Sequence, residues 1–267
     1  MLPRILTILI SVPIIFGCTY YGGIPFLVLV LSLALVSINE FYSLMKRKGY
    51  SPQFSIGNFF TIFFIVFAYY ALKRNWEPAH SAILTCAAII TFSSGIFFKK
   101  VQDAIPNIAV TLLGIFYIGW LFSYLMFIRP LTEHGAYIFF LMLTIWANDI
   151  TAYLVGSRFG RIKLSPYISP KKTVEGAVAG FVVCVGAAAL FSTFMVEISL
   201  VDSIFLGITV GIMAQVSDLV ESLIKRDAGV KDSSSIVPGH GGVLDRMDSF
   251  ILTAPIMYYY ISWVILR

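Results

Sequence analysis

Apolar runs about twenty residues long, parted by short polar breaks, make up nearly the whole chain and predict membrane-spanning helices. Crossing about 30 Å of hydrocarbon takes ~20 helical residues, because every backbone N–H and C=O must find its partner inside the segment. The runs give nine spans, at roughly 4–20, 24–45, 56–73, 79–98, 104–128, 135–156, 174–196, 201–224 and 246–266. Pro13 and Pro25 interrupt the first two, which leaves them open to being shorter, re-entrant or interfacial. The expected class is an all-α, polytopic integral membrane protein with a polar cavity open to the cytoplasmic side. Residues 1–130 supply about five N-terminal spans, and 131–267 supply about four C-terminal ones. No internal repeat or low-complexity linker interrupts the pattern. Two connections, 157–173 and 225–245, are long and rich in Gly, Pro, Ser and Lys. Loops of that length between packed elements are usually functional.

Composition agrees. The chain is 58% hydrophobic and only 12% charged, against ~25% charged in an ordinary soluble domain. That leaves too little polar surface for a water-soluble globule. The net charge of +5 is too small and scattered for a nucleic-acid groove. Its distribution is informative instead. With the N-terminus cytoplasmic and nine spans, fifteen of the nineteen Lys and Arg residues fall inside, and only Lys73, Arg74, Arg129 and Arg267 outside. Basic residues are retained on the cytoplasmic side, so the bias predicts that orientation. The expected location is the bacterial cytoplasmic membrane. Cys18, Cys86 and Cys184 stand alone in apolar runs and read as small hydrophobes, with no disulfide framework.

Asp149, Asp218 and Glu221 lie within or at the inner ends of apolar helices, where a bare carboxylate costs ~2.5–3.5 kcal/mol or more at the bilayer centre. Something must offset that cost. Glu40 and Asp103, nearer the boundaries, read as solvated helix-end charges. On a helix Asp218 shares a face with Glu221 and Ser222, and Lys225 and Arg226 follow at its inner end. The loop then carries Lys231, Asp232 and Pro238-Gly239-His240-Gly241-Gly242, and the chain re-enters the membrane with Asp245, Arg246 and Asp248. Carboxylates on both sides of a Gly-rich, Lys-rich loop suit a hard divalent cation such as Mg²⁺ beside cations that neutralise phosphate oxygens. Mg²⁺ takes one or two protein carboxylates, so Asp218 and Asp245 suffice, with Asp149, Glu221 and Asp248 as further acidic groups of the site. The competing reading is a solvated positive-inside loop with a glycine hinge. A second cluster, Ser169-Pro170-Lys171-Lys172-Thr173-Val174-Glu175-Gly176, precedes the seventh span. Ser169 or Thr173 is placed to cap that helix, and its amides with Lys171 and Lys172 form an anion cradle.

The stretch Ser222-Leu223-Ile224-Lys225-Arg226, four residues, Lys231-Asp232, then His240-Gly241-Gly242, Asp245-Arg246 and Asp248 resembles the signature of the phosphatidate cytidylyltransferases, also called CDP-diacylglycerol synthases. The match covers about 27 residues with no departure from the pattern. The 169–176 run and Asn148-Asp149 also resemble that family, whereas the first 130 residues match only in being hydrophobic. The resemblance implies an integral membrane enzyme that joins CTP to phosphatidate, releasing pyrophosphate and leaving CDP-diacylglycerol. It implies Mg²⁺ dependence, with Asp218 and Asp245 as metal-site carboxylates, a monovalent cation such as K⁺ nearby, and a homodimer. It carries over Ser222, Lys225, Arg226, Lys231, Asp232, His240, Gly241, Gly242 and Arg246 as substrate-site or catalytic candidates, beside Lys171, Lys172, Thr173 and Glu175. His240 is read as a hydrogen-bond partner of a phosphate or a shaper of the glycine turn ahead of a proton-transfer role. Two alternatives remain at this stage. One is a CTP-using relative acting on another lipid, such as a polyprenol kinase or an ether-lipid cytidylyltransferase. The other is a transporter or channel with Asp149, Asp218 and Glu221 along a cation path.

Overall fold

The computed structural model describes residues 2–71, 79–97, 101–196, 198–237, 239 and 241–267. His240 and four of the residues used to orient the chain, Lys73, Arg74, Lys99 and Lys100, lie outside the described residues. The chain divides into two compact units, Met1–Phe127 with Asp227–Met247, and Ile128–Arg226 with Asp248–Arg267.

In the first unit α1 (Leu2–Tyr21), α2 (Gly23–Arg47), α3 (Phe54–Ala71), α4 (Ala79–Ser94), α5 (Ala104–Gly114) and most of α6 (Tyr124–Ile128) follow in order, with a π-helical stretch over Ile115–Trp120. Phe60, Phe64, Ile83, Ala87 and Ile115 form a buried apolar cluster from α3, α4 and the π-helical stretch. Tyr42 of α2 fills the space that Gly57 and Gly114 leave on the neighbouring helices, and its hydroxyl donates to the Thr111 carbonyl at 2.8 Å. Such small-residue contacts bring helices close where lipid gives no hydrophobic drive to association. His80 is also enclosed: Trp120 Nε1 donates to its Nδ1 at 2.9 Å, and Nε2 lies 2.9 Å from the Ser123 hydroxyl. The 227–247 segment belongs to this unit and begins on an ion pair, Lys48 Nζ to Asp227 Oδ2 at 2.6 Å. That bond raises the Lys48 ammonium above the ordinary lysine range.

The second unit holds α7 (Ala136–Phe159), a hairpin of β1 (Lys163–Ser165) and β2 (Ser169–Thr173), α8 (Val174–Met195), nearly all of α9 (Leu200–Asp227) and most of α10 (Leu244–Tyr260), which runs into a π-helical turn over Ile261–Ile265. Helices α7 and α8 approach so closely that a Cβ on Gly176 would lie 2.5 Å from the Ala152 carbonyl, and one on Gly180 would lie 2.7 Å from that of Asn148. Gly207 and Gly211 give α9 the same close seat against α8. Gln215 of α9 donates to Asn148 Oδ1 at 3.0 Å and to the Ala177 carbonyl at 2.9 Å, tying three helices together through one amide.

Among the described residues seven helices are long and apolar enough to cross a membrane, and they correspond to the second through eighth expected spans. The first and last expected spans are helical but not among the seven. Among the described residues the apolar helix at the first is Leu9–Tyr21, and α10 has 17 residues before its π-helical continuation. The architecture is helical as expected, and within the 157–173 loop a short antiparallel hairpin pairs Lys163 with Thr173 and Ser165 with Ser169. The three cysteines are free.

Candidate active site

In the second unit, Asp218 and Glu221 lie one helical turn apart on α9 and are joined by Asp248 of α10. Each offers a carboxylate oxygen, and these oxygens all lie within 4.8 Å of one another. Glu221 is fully buried, and its Oε2 lies 2.7 Å from Lys225 Nζ, one turn further along α9. Asp218 forms an ion pair with Lys172 of β2. The Ser217 hydroxyl donates to the backbone carbonyl of Asp248, and the Ser249 amide donates to Asp248 Oδ1 at 2.7 Å, fixing where α10 meets α9. Asp149 of α7 accepts from Asn148 Nδ2 at 3.1 Å and lies within electrostatic reach of Asp218 and Lys172. Four carboxyl groups thus stand with two paired lysines.

The hairpin delivers Lys172 for local reasons. Thr173 caps α8, its hydroxyl oxygen accepting from the Gly176 amide at 3.2 Å. Of the two candidate caps, Ser169 and Thr173, it is Thr173 that does so. Glu175 accepts from the Ile162 amide at 3.1 Å and closes the base of the hairpin. Arg226 Nε donates to the Ile168 carbonyl at 3.1 Å and holds the turn. Lys171 is exposed, whereas Lys172 is half-buried against Asp218. Ser222 is buried on α9 beside Glu221.

In the first unit, Asp245 Oδ2 accepts from the Ser233 amide at 3.0 Å and the Gly242 amide at 2.7 Å, and it lies 3.0 Å from the Ser233 hydroxyl, whose single proton is shared between Asp245 and Glu40. Gly241 adopts φ +83°, a left-handed conformation suited to glycine. Val237 and Gly241 form an isolated antiparallel bridge. Lys231, Asp232 and Arg246 are exposed on this segment.

One reading of the sequence is overturned here. Glu40 is not a solvated helix-end charge. It is 4% exposed, and its carboxylate accepts from the Ser233 and Ser234 hydroxyls and from the Val243 and Leu244 amides. Its place near the boundary of a span suggested solvent, and its partners lie far along the chain.

The chain matches the family model described as "Cytidylyltransferase family" over residues 2–264. It is 32% identical over 261 residues to a phosphatidate cytidylyltransferase of Bacillus subtilis (strain 168), covering 97% of each chain. To one of Synechocystis sp. it is 32% identical over 290 residues, covering 97% of this chain and 95% of the relative. To one of Staphylococcus aureus (strain COL) it is 31% identical over 257 residues, covering 95% and 96%.

Proposed function

The chain belongs to the cytidylyltransferase family, and from that premise we propose that it transfers CMP from CTP to phosphatidate, giving CDP-diacylglycerol and pyrophosphate. The observation that carries the reading is the triad Asp218, Glu221 and Asp248 with Lys172 and Lys225 bonded to it. Three carboxylate oxygens that close together suit a hard cation, and the excess of acids over lysines leaves negative charge for it to balance. Two of Asp218, Glu221 and Asp248 would hold Mg²⁺, with the third beside them. Asp245 is proposed as a metal-site carboxylate on its place in the signature, and Asp149 on its charge beside Asp218. A bound Mg²⁺ supplies charge neutralisation for phosphate oxygens.

The remaining work falls to the chain itself. A triphosphate and a lipid phosphomonoester repel each other, so the site must gather cations around both. The monoester carries about −1.5 to −2 charge at pH 7 and is already nucleophilic, so no general base is needed. Its oxygen attacks the α-phosphorus of CTP in line. A new P–O bond forms, the bond from the α-phosphorus to the bridging oxygen breaks, and pyrophosphate departs with those electrons. Lys172 and Lys225 turn from carboxylate to phosphate partners, while Arg226 steadies the hairpin that presents Lys171 and Lys172. Lys231, Arg246 and His240 are further substrate ligands in this reading. Catalysis is mainly positioning and charge neutralisation. The positive-inside bias supports a site at the cytoplasmic face.

Purified protein given labelled CTP, phosphatidate and Mg²⁺ is expected to form CDP-diacylglycerol and pyrophosphate. Formation of CDP instead would mean a kinase and overturn the reading. Replacing Lys171 and Lys172 together by Gln is expected to raise KM for CTP at least about tenfold, the worth of one charge-assisted hydrogen bond. An unchanged KM would leave them as topology determinants only.

A further inference from the structure

Glu40 takes no part in the chemistry proposed above, yet it is the buried acid around which the signature segment folds. Each of its carboxylate oxygens receives one hydroxyl and one backbone amide. Oε1 accepts from Ser234 Oγ at 2.5 Å and Val243 N at 3.1 Å, and Oε2 accepts from Ser233 Oγ at 3.0 Å and Leu244 N at 2.8 Å. The hydroxyls come from the first half of the 227–247 segment and the amides from its end, where α10 begins. A helix N-terminus favours negative charge, and the Val243 and Leu244 amides are among its unpaired donors. Gly242, between the two ends, passes so near that a Cβ there would lie 2.6 Å and 2.7 Å from the Glu40 oxygens. The same segment supplies Ser233 and Gly242 to Asp245, and its start is tied to the end of α2 by Lys48 and Asp227.

We infer that Glu40 is a positioning residue for the reaction: its carboxylate clamps both ends of the Ser233–Leu244 segment and so sets the place of Asp245 and the basic residues that flank it. This rests on the proposed role of that segment in catalysis. The clamp needs four acceptor sites on one side chain, which only an ionised carboxylate offers. Glutamine has the same shape but fails. Whichever way its amide is turned, its NH₂ faces the N–H of Val243 or of Leu244, and a backbone donor cannot rotate away as a hydroxyl can. Aspartate keeps four acceptor sites but falls one methylene short.

The test compares Glu40→Gln, Glu40→Asp, Glu40→Ala and the double variant Ser233→Ala/Ser234→Ala as full-length purified proteins. Two readouts are taken: kcat and KM for CTP with phosphatidate, and the rate of tryptic cleavage after the exposed Lys231, followed by mass spectrometry. Glu40→Gln is expected to lower kcat about 100-fold, the scale set by a misplacement of about 1 Å, with a smaller change in KM and faster cleavage after Lys231. Glu40→Asp is expected to recover part of both. The serine double variant keeps the amide half of the clamp and is expected to fall between. Wild-type kcat and cleavage in Glu40→Gln would overturn the inference, as would equal losses in Gln, Asp and Ala. If Glu40→Gln fails to fold, wild-type kcat and cleavage in the serine variant would overturn it instead. Wild-type protein inactive on CTP and phosphatidate would sink the catalytic reading, while the cleavage rates would still report on the clamp.

Discussion

Asp218→Asn is expected to lower kcat about 1000-fold, since a metal-held charge is worth several kcal/mol in the transition state and each ~1.4 kcal/mol is tenfold in rate. Asp218 is the member of the triad best suited to this test. Its side chain is 30% exposed and its lysine partner 28%, so removing one charge leaves Lys172 within reach of solvent. Glu221 is fully buried with Lys225 only 12% exposed. Taking its charge away would break an ion pair that is largely shielded from water, a change that typically costs 3–5 kcal/mol of stability. Loss of activity in Glu221→Gln would therefore confound chemistry with folding. In Asp218→Asn the thermal midpoint should stay close to wild type, while the Mg²⁺ concentration for half-maximal rate rises. Near-normal turnover at saturating Mg²⁺ would mean that the triad is a structural ion-pair cluster and not a metal site.

The residues differ in how far sequence reveals them. The spans were legible because lipid imposes a long apolar run on every crossing helix, so α2 through α9 follow the expected pattern. The Asp218 and Glu221 pair was legible because helical spacing places i and i+3 on one face. Asp248 is also expected among the acids of the site, but that its carboxylate closes on this pair depends on where α10 lies against α9, a tertiary fact held by the Ser217 hydroxyl and the Asp248 carbonyl. Asp245 and Asp248, three apart in sequence, engage different partners: Asp245 binds Ser233 and Gly242, and Asp248 belongs to the triad.

The hairpin was hidden for another reason. Lys-Leu-Ser and Ser-Pro-Lys-Lys-Thr lack the β-branched or aromatic alternation that marks a strand. Its closure comes from Glu175 reaching back to the Ile162 amide. Glu40 was hidden by distance along the chain, since its partners lie 193 to 204 residues downstream. An acid near the boundary of a span suggests solvent until those serines and amides are brought to it.

Gly242→Ala is expected to be nearly as damaging as loss of the Glu40 carboxylate, and its neighbour separates the cause. Gly241 and Gly242 stand side by side for different reasons. Gly241 has φ +83°, so a side chain there would suffer backbone strain of about 1–2 kcal/mol, and its Cβ would also lie 2.6 Å from Asp245 Oδ2. Gly242 has no positive φ, but its added methyl would fall on the Ser233 hydroxyl and press on both Glu40 oxygens. Neither can yield readily, because the Ser233 hydroxyl also serves Asp245 and the Glu40 oxygens hold four donors between them. The segment must move outward, with about 1–3 kcal/mol of overpacking strain and a fall in kcat of about 100-fold from misplacement. Removing the obstructing atom should help. Ser233→Ala in the Gly242→Ala background is expected to restore part of kcat, although Ser233→Ala alone lowers it, a non-additivity expected of residues in direct contact. Additive losses in the double variant, or a Gly242→Ala enzyme of normal turnover, would show that the glycine is not there to let the backbone reach the carboxylate.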